Sequence, residues 1–302
     1  MEVVAGNDDQ VVLWKGGASS SAITTTSTCT ANPTSSPVPT ISFKPTGSRI
    51  LVGSDQELRG AVADAASADV IVLTNDVLLT ERLSFPPGLS GVVLRADGPN
   101  CTTISGDGTF QLMYLPSSEL TLENLVLTKG YAQYGGAIAP SSGAVLWVHG
   151  CTFSFNRGYQ GGAIYNYGST ASFKDSLFEF NEATNSGGVL LSVESRTTFE
   201  NSHFGSNTAM ANGGALYIYY DSHARILSTS FVNNQAGTVG GAISFSANQP
   251  EIVEPSVLEG CLFEQNNATT TGGAIDLTAT FTTVNIHDTL FRRNHAGESG
   301  GG

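Results

Sequence analysis

One motif recurs six times between residues 153 and 301: Phe, two free positions, Asn, one free position, a small residue and then a Gly pair. Successive phenylalanines are 25 to 28 residues apart, except for one interval of 32. A period in this range is typical of stacked repeats, in which each unit packs against its neighbours. The motif contains Phe153, Phe178, Phe204, Phe231, Phe263 and Phe291, followed by Asn156, Asn181, Asn207, Asn234, Asn266 and Asn294.

The residues around the motif alternate between apolar and free positions. An apolar residue stands five positions before each Phe, and another stands two positions after each complete Gly pair. These runs are short and rich in β-branched and aromatic residues, which favours strands over helix pairs. We therefore predict an all-β parallel β-helix, a solenoid with three short strands per coil and roughly 4.8 Å between coils.

Within such a solenoid the motif is interpreted as a packing device. Phe is expected to stack on Phe inside the cylinder, since equivalent residues of successive coils lie above one another. Asn at a bend can hydrogen-bond both its own backbone and the amide ladder above and below, and the Gly pair allows close backbone approach. The repeats are predicted to occupy residues from about 120 to 302, with the last copy truncated at GESGGG.

The chain is predicted to have two parts. Residues 1–47 form an N-terminal segment with a Ser/Thr/Pro-rich linker, and residues 48–302 form the β-helix. Ser54 and Glu57 make a capping box in front of an apolar face formed by Leu58, Val62 and Ala65/Ala66. A short capping α-helix over about 54–68 is expected from this pattern.

Composition excludes several classes of function. The net charge of −13, from 13 basic and 26 acidic residues, disfavours nucleic acid as a partner. No apolar stretch is long enough for a transmembrane helix, and no signal peptide is visible at the first residues. The four cysteines lack CxxC spacing, and no nucleotide-binding loop occurs. We expect neither a cofactor nor a metal, and we expect the sequence to be a fragment of a longer protein.

The stretches FSFNRGYQGGAIYN, FEFNEATNSGGVLL and FVNNQAGTVGGAIS also carry a resemblance. Their alternating GGAI and FxxN motifs resemble the repeats of polymorphic outer membrane proteins, over roughly residues 120–302. The resemblance implies a right-handed parallel β-helix of pectin-lyase-like type and a surface adhesin role. It also implies an extracellular or cell-surface location, associated with the outer membrane if the source is bacterial.

An aromatic group on the strand after the Gly pair is the candidate binding site. Tyr165, Tyr167, Tyr217 and Tyr219 are predicted to point outward, with Leu191 and Val193 on the coil between them. Tyrosines two coils apart would stand ~10 Å apart, comparable to a disaccharide step, so an extended glycan could stack there. Lateral packing by a loop, a subunit or missing sequence is the alternative interpretation.

A charged column is the candidate catalytic site. Four positions before each Phe stand His149, Lys174, Glu200, Leu227, Glu259 and His287. Glu200 and Glu259 would lie ~10 Å apart, near the upper limit for an inverting glycosidase. The alternative is a solvated ladder with a weak Lys174–Glu200 surface pair.

Two functions follow from these candidates. The first is a non-catalytic surface or extracellular β-helix that serves adhesion, with a polysaccharide or a cell-surface protein as its partner. The second is a polysaccharide lyase or glycosidase on the same fold. A carboxylate pair on neighbouring coils, or a carboxylate beside Arg or Lys in a groove, would favour the enzyme. Because neither is evident in the sequence, we favour the first hypothesis and assign no catalytic residue.

Overall fold

The structure, a computed structural model, describes residues 47–246, 254–277 and 283–298. The predicted linker of residues 1–46 and the final glycines lie outside the described residues. The described chain is a right-handed parallel β-helix with one short α-helix at its N-terminal end. No helix among the described residues is long and apolar enough to cross a membrane.

From Tyr131 onward a complete coil passes through four parallel sheets, numbered here in the order in which such a coil meets them; the described coils before it have no strand in sheet 3. Sheet 1 contains Arg49–Val52, Val70–Leu73, Val92–Ala96, Glu119–Glu123, Val145–His149, Thr170–Lys174, Arg196–Glu200, His223–Leu227, Ser256–Glu259 and Val284–His287. Sheet 2 contains Val77–Leu78, Thr102–Ser105, Leu125–Thr128, Thr152–Ser154, Leu177–Glu179, His203–Gly205, Ser230–Val232, Leu262–Glu264 and Leu290–Arg292.

The other two sheets complete the coil. Sheet 3 contains Tyr131–Tyr134, Arg157–Gln160, Glu182–Ala183, Thr208–Ala209, Gln235–Ala236, Asn267–Ala268 and His295–Ala296. Sheet 4 contains Leu83–Ser84, Met113–Pro116, Ile138–Ser141, Ile164–Tyr167, Leu190–Val193, Leu216–Tyr219, Ile243–Ser246 and Ile275–Leu277.

The expectation of three strands per coil holds for the coils between Val70 and Tyr131 and is wrong from there onward, where sheet 3 adds a fourth. Most strands of sheet 3 have only two residues, as in Glu182–Ala183 and Thr208–Ala209. A two-residue strand cannot display an alternating apolar pattern, so periodicity in the sequence does not reveal it. The strands are nevertheless paired in parallel, with Ala183 opposite Ala209.

The phenylalanines of the motif form a continuous stack in the interior. From Phe153 to Phe291, successive ring centroids are 4.6 to 5.1 Å apart and the ring planes differ by 2 to 16°. Phe173 and Phe199 of sheet 1 stack at 4.9 Å and meet the first stack edge to face. The predicted interior position of the Phe column is confirmed.

The asparagines of the motif form a hydrogen-bonded ladder beside the phenylalanine stack. The backbone N–H and Nδ2 of Asn207 both donate to Oδ1 of Asn234, at 3.1 and 3.0 Å. Asn207 Nδ2 also donates to the carbonyl of Phe178 in the preceding coil, at 2.9 Å. The same set of bonds recurs along the column, and the asparagines from Asn156 to Asn266 are buried. Each amide therefore joins three coils, as a bend residue in a β-helix was expected to do.

The Gly pair is a turn with no room for side chains. Gly213 has φ +64°, a left-handed conformation that glycine adopts at little cost. A Cβ at Gly214 would lie 2.1 Å from the carbonyl oxygen of Gly241 in the next coil. The predicted packing role of the pair is confirmed.

The capping helix covers the N-terminal end of the core but is shorter than expected. It spans Asp55–Ala63, and Leu58 and Val62 are buried in the core. Ser54 Oγ accepts from the N–H of Glu57, whose carboxylate accepts from the N–H of Gly53. The Asp69 carboxylate accepts from the N–H of Ala66, which holds that residue in a turn instead of a further helical turn.

Replacement of one interior phenylalanine should destabilise the solenoid strongly. Phe204→Ala removes a ring that stacks at 4.6 Å on both sides, so we expect a loss of about 3–5 kcal/mol in the free energy of unfolding. Phe291→Ala, at the half-buried end of the same stack, should cost clearly less. Chemical denaturation followed by circular dichroism measures both; equal losses would show that the stack is not the main source of stability.

The asparagine ladder should be as sensitive as the stack. Asn207→Ala removes the hydrogen bond to the carbonyl of Phe178 and leaves the buried backbone N–H of Asn181 without its side-chain acceptor, while Asn181 Nδ2 keeps only its bond to the carbonyl of Phe153. Because each unsatisfied buried group costs about 1–3 kcal/mol, we expect a loss of about 3 kcal/mol or more. The half-buried Asn294 supplies the matched variant, Asn294→Ala, whose orphaned groups can reach water. A loss below about 1 kcal/mol for Asn207→Ala would contradict the structural role of the ladder.

Candidate functional site

The four predicted tyrosines lie on the outward side of sheet 4. Strand register places Tyr165 opposite Leu191 and Leu191 opposite Tyr217. In the same way Val193 separates Tyr167 from Tyr219. We call the surface formed by Tyr165, Tyr167, Tyr217 and Tyr219 around Leu191 the tyrosine face.

The tyrosine face consists of two aromatic clusters with an aliphatic strip between them. In the first cluster the rings of Tyr165 and Tyr167 are 6.2 Å apart and nearly parallel. In the second the rings of Tyr217 and Tyr219 are 5.4 Å apart. Leu191, in the coil between, is 2% exposed and therefore covered by its neighbours, whereas Val193 in the same strand is half-buried and supplies the aliphatic surface between the clusters.

The two outer tyrosines are more exposed than the inner pair. Tyr167 and Tyr219 are 42% and 37% exposed, whereas Tyr165 and Tyr217 are half-buried. Burial raises the pKa of Tyr165 and of Tyr217 above the ordinary value for a phenol. The phenols of Tyr165 and Tyr217 are therefore neutral at physiological pH and can both donate and accept hydrogen bonds.

Sequence reasoning missed two members of these clusters. Tyr134 of sheet 3 stacks against Tyr165 with 4.8 Å between ring centroids, and Tyr220 lies 6.2 Å from Tyr219. Tyr134 reaches the face across the Gly pair, from a sheet that the repeat pattern does not reveal. Its position directly before that Gly pair, in YAQYGG, is the available sequence signal.

The charged column of sheet 1 has the register expected from the sequence. Glu200 pairs with Leu227 and Leu227 with Glu259, so the two carboxylates are separated by one coil. Lys174 Nζ lies 2.9 Å from Glu200 Oε1, which is the predicted surface pair. The full column runs through His149, Lys174, Glu200, Leu227, Glu259 and His287.

A shallow open cavity lies over the C-terminal part of this column. Arg225, two residues before Leu227 in the strand, adds a guanidinium between the coils of Glu200 and Glu259. We call this surface the carboxylate groove; it is lined by Glu200, Arg225, Leu227, Ser228, Glu259, Gly260 and Asp288. A groove with two carboxylates and an arginine is the arrangement named above as favouring an enzyme.

His149, at the other end of the column, is engaged in an ion pair. Its Nε2 lies 3.1 Å from Asp175 Oδ2, and the hydrogen bond to Asp175 raises the pKa of His149. Burial opposes ionisation of Asp175, but hydrogen bonds from His149 and Asn201 outweigh it and lower the pKa of Asp175. His149 therefore acts as a structural partner of the turn residue Asp175. Among the described residues no group of three or more His, Cys, Asp or Glu side chains is placed to hold a metal ion.

Comparison with known proteins identifies the family. The chain belongs to the right handed beta helix region family, which matches residues 100–297. No curated protein matches the sequence. Similar solved structures include the PL6 family alginate lyase AlyGC, with 14% identity and a TM-score of 0.50; the match covers 82% of this chain and 40% of that chain.

Two further solved structures match with lower TM-scores. A single-residue mutant of AlyGC is 16% identical with a TM-score of 0.46, covering 88% of this chain and 41% of that chain. An alginate lyase from Paenibacillus sp. is 11% identical with a TM-score of 0.32, covering 81% and 99% of the two chains. At 14% identity, the similarity to AlyGC shows a shared fold and no more. The chain spans about two fifths of the length of AlyGC.

The His149–Asp175 pair should make stability depend weakly on pH. The raised pKa of His149 stabilises the fold below about pH 6.5, and this contribution disappears as pH rises through the folded pKa. The lowered pKa of Asp175 stabilises the fold above about pH 4, and that contribution disappears as pH falls through the pKa of Asp175 in the folded state. Because the pair is exposed, we expect His149→Gln to cost about 0.5 kcal/mol at pH 5.5 and nothing at pH 9.

Urea denaturation at the two pH values measures this difference. His287→Gln is the matched control, since His287 occupies the same column without an ion pair among the described residues. A loss that is equal at both pH values would mean that His149 contributes by packing alone.

Proposed function

We propose that this chain is a non-catalytic β-helix module that binds a neutral glycan through its tyrosine face, outside the cell or at its surface. The observation that carries the proposal is the pair of tyrosine clusters on one side of sheet 4, with the half-buried Val193 between them. Sugar rings present an apolar face that stacks on aromatic rings and hydroxyl groups that pair with phenols. The tyrosine face offers both kinds of contact on a single rigid sheet.

The spacing of the clusters supports an extended ligand. Tyr165 and Tyr217 are two coils apart, ~10 Å along the solenoid axis at the usual strand spacing. This is comparable to the length of a disaccharide unit, so alternate sugar residues could stack on successive clusters. Tyr134 and Tyr220 enlarge the two platforms.

Charge supports a neutral ligand over a polyanionic one. The chain carries a net charge of −13, which repels an unassisted polyanion. Hydroxyl groups of a neutral glycan meet no such barrier at uncharged phenols.

The surface location rests on the resemblance to polymorphic outer membrane protein repeats and on the Ser/Thr/Pro-rich segment of residues 17–46. AlyGC, which shares this fold, acts by its name on alginate; this supports a polysaccharide as ligand class, whereas the preference for a neutral one rests on the charge of this chain. A cell-surface protein is the alternative partner for an adhesin. Attachment that does not depend on glycans would indicate such a partner.

Serine variants of the two exposed tyrosines test the proposal. Ser141 and Ser246 occupy the same column as Tyr167 and Tyr219, so Tyr167→Ser with Tyr219→Ser keeps a side chain that the sheet already accepts. We expect retention on an array of neutral polysaccharides to fall at least about tenfold, since two stacking contacts are lost. The melting temperature should change little, because both rings are exposed.

Trp147→Thr is the matched control for an exposed aromatic residue elsewhere. Trp147 is 46% exposed on sheet 1, where Thr121 and Ser172 are its neighbours in the column. The variant Trp147→Thr should leave glycan retention unchanged. Absence of binding by the wild-type chain, or equal loss in the control, would refute the tyrosine face as the binding site.

A second candidate function is hydrolysis or elimination of a polysaccharide at the carboxylate groove. The presence of Arg225 beside Glu200 and Glu259 favours it. In an inverting hydrolysis one carboxylic acid protonates the leaving oxygen while the other carboxylate activates a water on the opposite face of the sugar. The separation of ~10 Å exceeds the upper end of that geometry, about 9.5 Å, by a small margin.

Product analysis separates the two candidates. If the first proposal holds, incubation with neutral and uronate polysaccharides releases neither reducing ends nor unsaturated uronate absorbance. Release that disappears in Glu200→Gln or Glu259→Gln, and persists in the tyrosine variant, would assign the activity to the groove.

A further inference from the structure

The outward column of sheet 4 continues the tyrosine pattern toward the N-terminal end of the solenoid. Tyr114 stands opposite Ala139, and the register of the next strand pair puts Ala139 opposite Tyr165. Tyr114 is therefore two coils from Tyr165, the same separation as between Tyr165 and Tyr217. Aliphatic residues, Ala139 and Leu191, lie in the coils between. A tyrosine thus recurs in every second coil over this part of the column.

Arg82 changes the chemistry of this column at its N-terminal end. The Cζ atom of Arg82 lies over the ring of Tyr114, 5.1 Å from the ring centroid. Arg82 Nη1 also donates to Gln111 Oε1 at 3.4 Å. The residue is exposed and forms no ion pair within the described part of the chain. Because a guanidinium carries five N–H donors, most of them stay available to a ligand.

An open cavity of about 530 Å³ lies next to Arg82, between the capping helix and residues 81–84. Ser84 lines the cavity and stands opposite Tyr114, so it belongs to the same outward column. The strand that contains Ser84 is the first strand of sheet 4. Arg59 and Gly60 of the helix form the facing wall. The tyrosine column therefore leads into a cavity that the capping helix bounds.

The walls of the cavity leave one strong donor available. Arg59 is held by ion pairs with Asp55 and Glu81, so its charge is balanced. The guanidinium of Arg82 has no carboxylate partner among the residues that the structure describes. A Cβ built at Gly60 would meet no atom within 4 Å, so the space above the helix is open. The cavity can therefore hold a group that accepts hydrogen bonds from Arg82.

We propose that this cavity is the end subsite of the glycan-binding surface, where the last sugar of an extended neutral chain is bound. The end subsite is defined by Gly60, Arg82, Ser84 and Tyr114. Hydroxyl oxygens of the sugar accept hydrogen bonds from the guanidinium of Arg82 and pair with the hydroxyl of Ser84. The inference rests on the proposed function, because it gives the ligand of the tyrosine face a length and an end.

A sugar hydroxyl suits the end subsite better than an anionic group. The ring of Tyr114 engages one face of the Arg82 guanidinium and leaves its N–H edge for acceptors. The carboxylate of Glu81 lines the same cavity and can accept from a hydroxyl. An anion would be repelled by Glu81 and by the net charge of −13. A hydroxyl both donates and accepts, so it matches both side chains.

The strand register sets the length of the ligand. Ser84 and Tyr217 are five coils apart, ~24 Å at the usual strand spacing. With one disaccharide unit to two coils, as for Tyr165 and Tyr217, the whole surface accommodates roughly six sugars in line. A tetrasaccharide can contact both tyrosine clusters but cannot reach the cavity at the same time. Binding should therefore strengthen between four and six sugars and not beyond six.

Two variants remove the end subsite without altering the interior. Gly60→Leu places a side chain in the cavity, and because leucine favours a helix more than glycine does, the capping helix is not weakened. Gly60→Ala is its matched control, with the helix gain and only one methyl group. Arg82→Ala removes the donor. Its control is Arg196→Ala, which changes an exposed arginine of sheet 1 that has no ion pair among the described residues.

Calorimetric titration with cello-, manno- and xylo-oligosaccharides of four, six and eight residues measures the site. In at least one series we expect the wild-type chain to bind the hexasaccharide at least about tenfold more tightly than the tetrasaccharide, and the octasaccharide no more tightly than the hexasaccharide. In Gly60→Leu and in Arg82→Ala the hexasaccharide should bind only as tightly as the tetrasaccharide. Both control variants should keep the wild-type difference.

The outcomes separate the end subsite from the tyrosine face. The Tyr167→Ser, Tyr219→Ser variant should weaken the tetrasaccharide and the hexasaccharide by the same factor. A hexasaccharide advantage that persists in both Gly60→Leu and Arg82→Ala would overturn the end subsite and leave the tyrosine face intact. Affinity that keeps rising from six to eight sugars would also refute it. Absence of binding of every oligosaccharide and of polysaccharide by the wild-type chain would refute both proposals together.

Discussion

The register between successive coils is the constraint on which the rest of this structure depends. Asn207 illustrates it: one side chain bonds the coil before and the coil after, so all three must stay aligned. The phenylalanine stack beside the ladder enforces the same alignment through apolar burial, with Phe178, Phe204 and Phe231 in face contact. A slip of one residue in any coil would break both arrays together.

Because the interior holds the register, the outward positions are free to vary. A position on the surface of sheet 4 is Tyr165 in one coil, Leu191 in the next and Tyr217 in the one after. The corresponding column of sheet 1 changes from Glu200 to Leu227, and that of sheet 2 changes from Glu179 to Gly205, which has no side chain. Each candidate site therefore consists of outward residues that differ from those at the equivalent positions of neighbouring coils. The interior residues below them stay the same.

The two candidate surfaces differ in the chemistry that they present. The tyrosine face is uncharged and extended along the axis, which suits a polymer. The carboxylate groove carries both signs of charge and an open cavity, which suits proton transfer or a polar ligand.

The repeat itself determined most of the fold. Phe, Asn and the Gly pair recur at one spacing, and stacking, amide ladders and close backbone approach are physical consequences of placing identical residues above one another. Counting positions from each Phe also predicted the observed strand register of Tyr165, of Tyr217 and of the column that contains Glu200. Only the tertiary structure decided what happens between columns: the two-residue strands of sheet 3, the contact of Tyr134 across a Gly pair, and the placement of Arg82 over the ring of Tyr114. Those features depend on bend angles and side-chain directions, which a periodic pattern does not encode.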